Sequence, residues 1–397
     1  MVHLGGKNLW KKETYNMGKK FKRFVSFGLV AGMVVASMAG CGTKEAGNSD
    51  DVFKIGGIGP LTGEAASYGI SVKNGAQIAI DEINAAGGVK VGDRTYKLEM
   101  KFEDDEASAD IAPTAYNNVM DWGAQAILGC VTSGACKSIT ALTLKDGILQ
   151  ITPSGSDPGC IENDNAFRVC FSDPFQGITM ANLAKELGYT KIAIIYNNSD
   201  DYSTGGMNAF TEQAQANGQE IVACEAFAQG ANDFNTQLTK IKATDAQVIF
   251  VPAYYNDCAF ITTQAAALGM KLPFLGMDGW DGVIAQVSDT SVLEGAIFLS
   301  PFVASLQEDA VQKFVEAYKK TNKDAIPDQF AADGYDTVYV MKAALEKAGS
   351  TDSAKLIEAM NGLEVTGLTG EMKFSADGDA NKGAQFIEIK DGQYVLR

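Results

Sequence analysis

Hydrophobic positions in this chain follow two alternating periods. The stretch from residue 68 places Val72, Ala76 and Ile83 at helical spacing and stops at two glycines. The run KIAIIYNNSD, from residue 191, has little alternation, which is typical of a strand covered on both faces. The alternation of predicted strands and helices begins a second time at Pro174. Because strands that alternate with helices form parallel sheets between helices, two such blocks predict an α/β protein with two lobes.

The C-terminal residues do not continue this alternation of strand and helix. The segment EMKFSADGDANKGAQFIEIKDGQYVL has short alternating runs between polar turns. We expect hairpin-like strands there, around a DGD turn at 377–379 and a KDG turn at 390–392.

The N-terminal residues have a different composition. Four basic residues at 19–23 precede an apolar run, 24–40, that ends in small residues. This order is typical of a secretory signal, and the run is short and rich in Gly and Ala for a membrane-spanning helix. We therefore expect a signal peptide over 1–40. Since a signal usually begins close to its charges, Met17 is the expected start of translation.

Cys41 follows this signal directly. The junction Met38-Ala39-Gly40-Cys41 resembles a bacterial lipobox, which implies cleavage before Cys41 and a diacylglycerol on its sulfur. The small and polar residues that come next suit a flexible tether, expected over 41–52. The sequence thus predicts an extracytoplasmic protein that contacts the membrane through its lipid alone.

Charge and composition exclude several functions. Residues 41–397 carry 26 Lys and Arg against 48 Asp and Glu, a net charge of −22 that argues against nucleic acid. The one histidine is His3, so the exported part has none, and catalytic schemes that need histidine are excluded. No phosphate-binding glycine loop or paired CxxC motif occurs. We expect no enzyme activity and no cofactor or metal, with the acidic run 103–106 interpreted as a solvated strand end.

Six cysteines follow Cys41, and export permits disulfides. Cys160 and Cys170 flank a short loop and could pair, but spacing does not establish connectivity, and buried reduced thiols are the alternative. The six are Cys130, Cys136, Cys160, Cys170, Cys224 and Cys258.

Several segments carry a family resemblance by their order. They are GIGPLTGEAASYG, INAAGGVKVGDRTYKLEMKFEDDEA, ILGCVTSGA, LQITPSGSDP, FRVCFSDPFQG and FLGMDGW. Together, over 53–397, they resemble the Leu/Ile/Val-binding family of type I periplasmic binding proteins, which serve ABC transporters. The resemblance implies a monomer with two Rossmann-like lobes, joined by three crossing segments, that delivers an amino acid to an ABC permease. It divides the chain into lobe 1, at 53–172 plus 302–380, and lobe 2, at 173–301 plus 381–397.

Polar residues after the predicted strands indicate where a ligand would bind. Ligands of open α/β sheets lie beyond the carboxyl ends of the strands. Ser133 begins a helix, where hydroxyl and amide groups favour an anion. The loop containing Ser154, Gly155 and Ser156 lets backbone approach a ligand closely.

The resemblance gives these residues roles. It implies that Ser133 and Ser156 hold the α-carboxylate of an amino acid. The Ser154 carbonyl, the Ser156 hydroxyl and Asp278 would hold its ammonium group. Asp278 is one methylene shorter than the glutamate often found at this position.

Aromatic residues complete the expected cleft. Tyr68 and Tyr202 match family positions that line it, and further walls are expected from Tyr254, Trp280, Phe330 and Tyr335. So many rings favour a branched or otherwise hydrophobic ligand side chain. The alternatives are a receptor for an amide or a short or aromatic carboxylic acid, or a sensor that acts through a partner, since one fold hosts all of these. Arg94 and Arg168 are not expected to clamp a carboxylate.

Overall fold

A computed structural model describes residues 51–397. The predicted signal peptide, Met17 and Cys41 lie outside the described residues. Strand β1 begins at Asp51, so the last two residues of the predicted tether already belong to the sheet.

Fifteen strands and ten α-helices make up the described residues. The strands are β1 Asp51–Gly59, β2 Val89–Val91, β3 Arg94–Asp104, β4 Ala126–Gly129, β5 Leu149–Thr152, β6 Ala166–Arg168, β7 Lys191–Asn197, β8 Glu220–Phe227, β9 Val248–Val251, β10 Phe274–Gly276, β11 Ile297–Ser300, β12 Glu364–Gly367, β13 Gly370–Lys373, β14 Gln385–Lys390 and β15 Gln393–Leu396. The helices are α1 Ala66–Ala85, α2 Ala112–Trp122, α3 Ser133–Asp146, α4 Asp173–Glu186, α5 Asp201–Ala216, α6 Asn235–Lys242, α7 Tyr255–Ala267, α8 Asp309–Thr321, α9 Gln329–Ala348 and α10 Ser353–Met360.

The strands form two large sheets, which confirms the predicted α/β fold. The first sheet has the order β2-β3-β1-β4-β5-β6 and is parallel except for β2. The second has the order β15-β14-β11-β10-β9-β7-β8, with a parallel centre and an antiparallel edge made by β14 and β15. The central strands β4, β5, β9 and β11 are buried at every position, as their continuous apolar runs require.

Three segments cross between the two sides of the molecule. The chain passes from the first sheet to the second after β6. After β11 it leaves the second sheet for α8, α9 and α10, which pack against α1 and strands of the first sheet, and for the β12–β13 pair, and it re-enters the second sheet at β14. Loops at the carboxyl ends of both sets of parallel strands therefore face each other. The residue ranges given above for the two lobes stay a prediction.

A close contact between α1 and α9 fixes two cleft residues. A Cβ on Gly75 would lie 1.8 Å from the Ala331 carbonyl oxygen, and one on Gly334 would meet α1 backbone at 2.3 Å. The helices thus touch backbone to backbone. Because Tyr68 lies in the first turn of α1 and Phe330 in the first turn of α9, this contact sets the position of both rings.

Of the two hairpin turns predicted near the C-terminus, one is confirmed. The KDG turn joins β14 and β15 as expected. The DGD turn forms, with the Lys373 amide donating to the Ala380 carbonyl at 2.9 Å, but it joins no two strands of one sheet. Strand β13 pairs with β12 instead, and the chain then leaves for the second sheet. A local turn signal does not show which partner a flanking strand takes.

The six described cysteines all carry free thiols, so Cys160 and Cys170 are not bonded to each other. Cys224 on β8 is exposed and the others are buried. Among residues 51–397, no helix combines the length and the apolar character that a membrane span requires.

Candidate functional site

Two loops of the first sheet meet at Ser133. Its hydroxyl oxygen accepts hydrogen bonds from the backbone amides of Ser156 and Asp157, both at 3.2 Å. The Ser154 hydroxyl donates to the Val131 carbonyl at 2.7 Å, which ties the same loops a second time. All three serines are buried. The hydroxyl and amide groups predicted to receive an anion are therefore together at the start of α3.

Gly155 and Arg168 hold the second of these loops in place. A Cβ on Gly155 would lie 2.7 Å from the Thr152 hydroxyl and 3.1 Å from the Cys160 sulfur, so no larger residue fits. The buried Arg168 guanidinium donates to the Ser156 carbonyl at 2.7 Å and forms an ion pair with Asp379 at 3.2 Å. The Arg168 guanidinium is thus engaged by partners within the protein. The supporting contact to Ser156 was not predicted, because nothing local to Arg168 indicates it.

Asp278 lies at the carboxyl end of β10 and is buried. Its carboxylate accepts a hydrogen bond from the Tyr202 hydroxyl at 2.9 Å, and its own amide donates to the Gln176 side-chain oxygen at 2.8 Å. Burial raises the pKa of Asp278 to about 6, while the Tyr202 hydroxyl and the nearby Gln176 side-chain amide oppose that rise. A cationic partner would offset the cost of ionising this carboxyl group in its buried position.

Asp173 is a second buried acid in the cleft, and sequence reasoning missed it. It begins α4 and is 0% exposed, and neither of its carboxylate oxygens has a hydrogen-bond partner among the described residues. Burial raises the pKa of Asp173 well above its usual range, the nearby Ser156 hydroxyl lowers it, and the Asp278 charge raises it further. A buried acidic group without a partner is costly, and a bound cation would satisfy it.

The sequence contains only a weak signal for Asp173. Asp-Pro at the start of a predicted helix is interpreted as a helix N-terminus, which Asp173 indeed forms. Only the crossing of the chain between sheets brings this N-terminus beside Ser156 and Asp278. One turn along α4, the Gln176 side-chain nitrogen is also buried without a partner among the described residues.

Four of the predicted aromatic residues form one cluster. Tyr68 and Phe330 stack at 4.0 Å between ring centroids, and Tyr202 and Tyr254 stack at 4.9 Å. Tyr68 meets Tyr254 edge to face at 5.5 Å, which joins the two pairs. The cluster is drawn from both sides of the cleft.

Trp280 and Tyr335 lie outside this cluster, so the expectation that they are walls of the cleft needs correction. Trp280 is 0% exposed, and its indole nitrogen donates to the Val251 carbonyl at 2.8 Å. Its ring covers Gly276, which packs it into the core of the second sheet. The Tyr335 hydroxyl donates to the Glu82 carboxylate of α1 at 2.6 Å, and its ring packs against Tyr339 with centroids 4.8 Å apart. Trp280 points away from Asp278 because both residues belong to one short 3-10 turn, Asp278–Trp280.

Tyr68 also links the two sides of the cleft by hydrogen bonds. Its hydroxyl donates to the Gly279 carbonyl at 2.5 Å and accepts from the Tyr255 amide at 3.0 Å. At the edge of the cleft, Lys137 of α3 pairs with Asp201 of α5 at 3.1 Å and with Asp157 at 3.4 Å. These contacts hold the two halves close together.

Comparison with known proteins identifies this architecture. A family model described as periplasmic binding protein matches residues 52–393. The chain belongs to the periplasmic binding protein family. Leu/Ile/Val-binding protein homolog 3 of Brucella melitensis is 30% identical over 367 residues, which cover 91% of this chain and 97% of the relative.

Solved structures of this family agree. The branched-chain amino acid transporter substrate-binding protein LivJ of Streptococcus pneumoniae, in complex with isoleucine, superimposes with a TM-score of 0.79 at 30% identity, covering 87% of this chain and 100% of that one. A solute-binding protein of R. palustris in complex with benzoate has a TM-score of 0.78 at 21% identity, covering 87% and 95%, and shares the fold. The chain is therefore an extracytoplasmic solute-binding protein of the type I fold and not an enzyme.

Proposed function

We propose that this periplasmic binding protein captures an α-amino acid between its two sheets and delivers it to an ABC permease. The observation that carries the proposal is the pairing of two opposite receptors within one cleft. Ser133 and the loop at Ser156 present hydroxyl and amide groups that suit a carboxylate. Asp278 and Asp173 present buried carboxyl groups that suit an ammonium group. An α-amino acid has both groups on one carbon.

The ring cluster supports an apolar contact for the first carbons of the ligand side chain. Tyr68, Phe330, Tyr202 and Tyr254 together offer aromatic surface beside the two receptors. The relatives named for leucine, isoleucine and valine support the same inference. Closure by hinge motion around the ligand is the expected binding mode, with the Tyr68 and Lys137 contacts stabilising the closed form.

A thermal-shift screen against the twenty amino acids tests this proposal. At about 100 times its dissociation constant, a ligand adds about 2.7 kcal/mol to the free energy of unfolding, which raises the melting temperature measurably. The best amino acid is then compared with the same molecule lacking its amino group. We expect the acid to give little or no shift, because it leaves Asp278 and Asp173 without a cation. An equal shift from the deaminated acid would contradict an amino-acid ligand and favour a carboxylic-acid receptor.

We further propose that Cys41 carries the lipid that keeps the protein near its permease. A single acyl chain holds a protein only marginally, whereas a diacyl anchor supplies the two chains that stable attachment needs. Cys41→Ser is expected to move the protein from the membrane fraction to the soluble fraction and to abolish labelling by a radioactive fatty acid. Ser133→Ala, which leaves the anchor untouched, is the matched control. Continued lipid labelling of Cys41→Ser would refute this assignment.

A further inference from the structure

A cavity of about 320 Å³ adjoins the site between the two sheets. Loops after strands of the first sheet contribute Glu64, Glu106 and Thr132 to its lining. Loops after strands of the second sheet contribute Asp200 and Tyr254, and the first turn of α7 contributes Asp257. Two of these residues connect it to the receptors described above. Thr132 directly precedes Ser133, and Tyr254 stacks on Tyr202, the hydrogen-bond donor to Asp278. The cavity therefore begins where the α-carbon of a bound amino acid would lie.

The lining of this cavity is acidic. Four carboxyl groups line it, and its lining includes no Lys, Arg or His. Burial raises the pKa of Asp257 to about 7, and the charges of Glu64 and Asp200 add to that rise. Burial likewise raises the pKa of Asp200 to about 6. Lys137 of α3 is paired with Asp157 and Asp201, and none of these three residues belongs to the lining.

Thr132 provides an independent sign that a polar group belongs in the cavity. It is only 5% exposed, and its hydroxyl has no hydrogen-bond partner in the part of the chain that the structure describes. A buried hydroxyl without a partner costs free energy that a hydrogen-bonding ligand restores. A purely aliphatic side chain would leave this hydroxyl without a hydrogen-bond partner and would place no cation beside Asp257.

We propose that this cavity receives the end of the ligand side chain and that this end carries a cation, as in lysine or ornithine. The inference rests on the proposed amino-acid function and narrows its ligand. The methylene groups of such a side chain lie along Tyr254 and the other rings, while its charged end reaches Glu64 and Asp257. The hydrophobic side chain expected from the sequence then describes the stem of the ligand and not its end.

Isothermal titration calorimetry with a matched pair of ligands tests the proposal. L-lysine is compared with L-2-aminoheptanoic acid, in which a methyl group replaces the terminal ammonium group. We expect wild-type protein to bind lysine about tenfold more tightly or better, since the ammonium group gains charged hydrogen bonds. In the double variant Glu64→Gln/Asp257→Asn, the ratio of the two affinities is expected to fall close to one. The control Asp93→Asn/Glu371→Gln removes the same charge from exposed positions and keeps the wild-type ratio.

The possible results separate this inference from the proposed function. Binding of 2-aminoheptanoic acid or leucine with no preference for lysine would overturn the cationic ligand and leave the amino-acid function intact. An unchanged preference in the double variant would also overturn it, because the cavity acids would then not cause the preference. Cadaverine, a diamine without a carboxyl group, is the remaining probe. If cadaverine binds and no amino acid does, the result would support cation binding in the acidic cavity and contradict the amino-acid function. If none of these compounds binds, both fail.

Discussion

Replacing Lys382 with methionine is expected to lower the free energy of unfolding by about 3–5 kcal/mol, because the change leaves a buried acid without its cation. The Lys382 ammonium group donates to the Val169 carbonyl at 3.2 Å, to Asp333 at 3.3 Å and to the Thr369 hydroxyl. The two charged side chains are only 1% and 2% exposed. Val169 and Lys382 lie in two of the crossing segments, so this ion pair stabilises the region where the sheets connect.

The expected loss depends on pH. Burial raises the pKa of Asp333 to about 7, and Lys382 opposes that rise. Without Lys382 the pKa of Asp333 in the folded protein rises further above its unfolded value. The folded variant then takes up a proton as pH falls, and the cost of the unpaired charge disappears. The loss should therefore be largest above pH 7 and smaller at pH 5.5.

Urea unfolding followed by circular dichroism at pH 8 and pH 5.5 measures both effects. Lys373→Met removes an exposed lysine, with a side chain 71% accessible, and is expected to change stability by less than about 1 kcal/mol. The double variant Lys382→Met/Asp333→Asn should recover part of the loss, since it removes the unpaired acid as well. A loss at pH 8 no larger than that of Lys373→Met would show that the pair does not stabilise the fold.

Asp278→Asn is expected to weaken binding of the amino acid identified in the screen by about 2–5 kcal/mol, a factor of roughly 30 or more. Asparagine keeps the size of the side chain and still accepts the Tyr202 hydrogen bond, but it removes the negative charge opposite the ammonium group. Calorimetric titration measures the change. Asp289→Asn, at an exposed position, serves as the control.

The unliganded protein provides a second measurement for this variant. Because burial raises the pKa of Asp278, its charge opposes folding at neutral pH. Asp278→Asn without ligand should therefore melt at the wild-type temperature or above it. A lower melting temperature together with weaker binding would indicate a structural defect, and unchanged affinity would exclude Asp278 as the ammonium receptor.

Local patterns predicted most of the fold but few of the long-range contacts. The helix that ends just before Gly87, the buried strands and the KDG hairpin follow from periodicity and turn residues, which act over a few positions. The pairing of β13 with β12 could not be predicted in this way, because the sequence of a four-residue strand does not determine which strand it pairs with.

The candidate site shows the same division. Ser133 and Ser156 were predicted because each follows a strand and the carboxyl ends of parallel strands meet, and Asp278 was implied by the family resemblance. Asp173 and the Arg168 contact to Ser156 depend on how the chain crosses between sheets, which no local pattern specifies. Trp280 was misplaced because adjacency to Asp278 in sequence does not determine the direction of its ring. The acidic cavity combines a few residues from each of six connections between strands and helices, so its charge becomes evident only in the folded structure.

The distribution of thiols has a practical consequence. Five of the six described cysteines are buried and Cys224 alone among them is exposed, on the edge strand β8. A maleimide dye added to the folded domain would attach at this one position without any engineered residue. Paired with a second dye introduced on the first sheet, it would report the distance between the halves by energy transfer. Cys224 thus already provides one of the two dye sites that a fluorescent sensor of ligand binding requires.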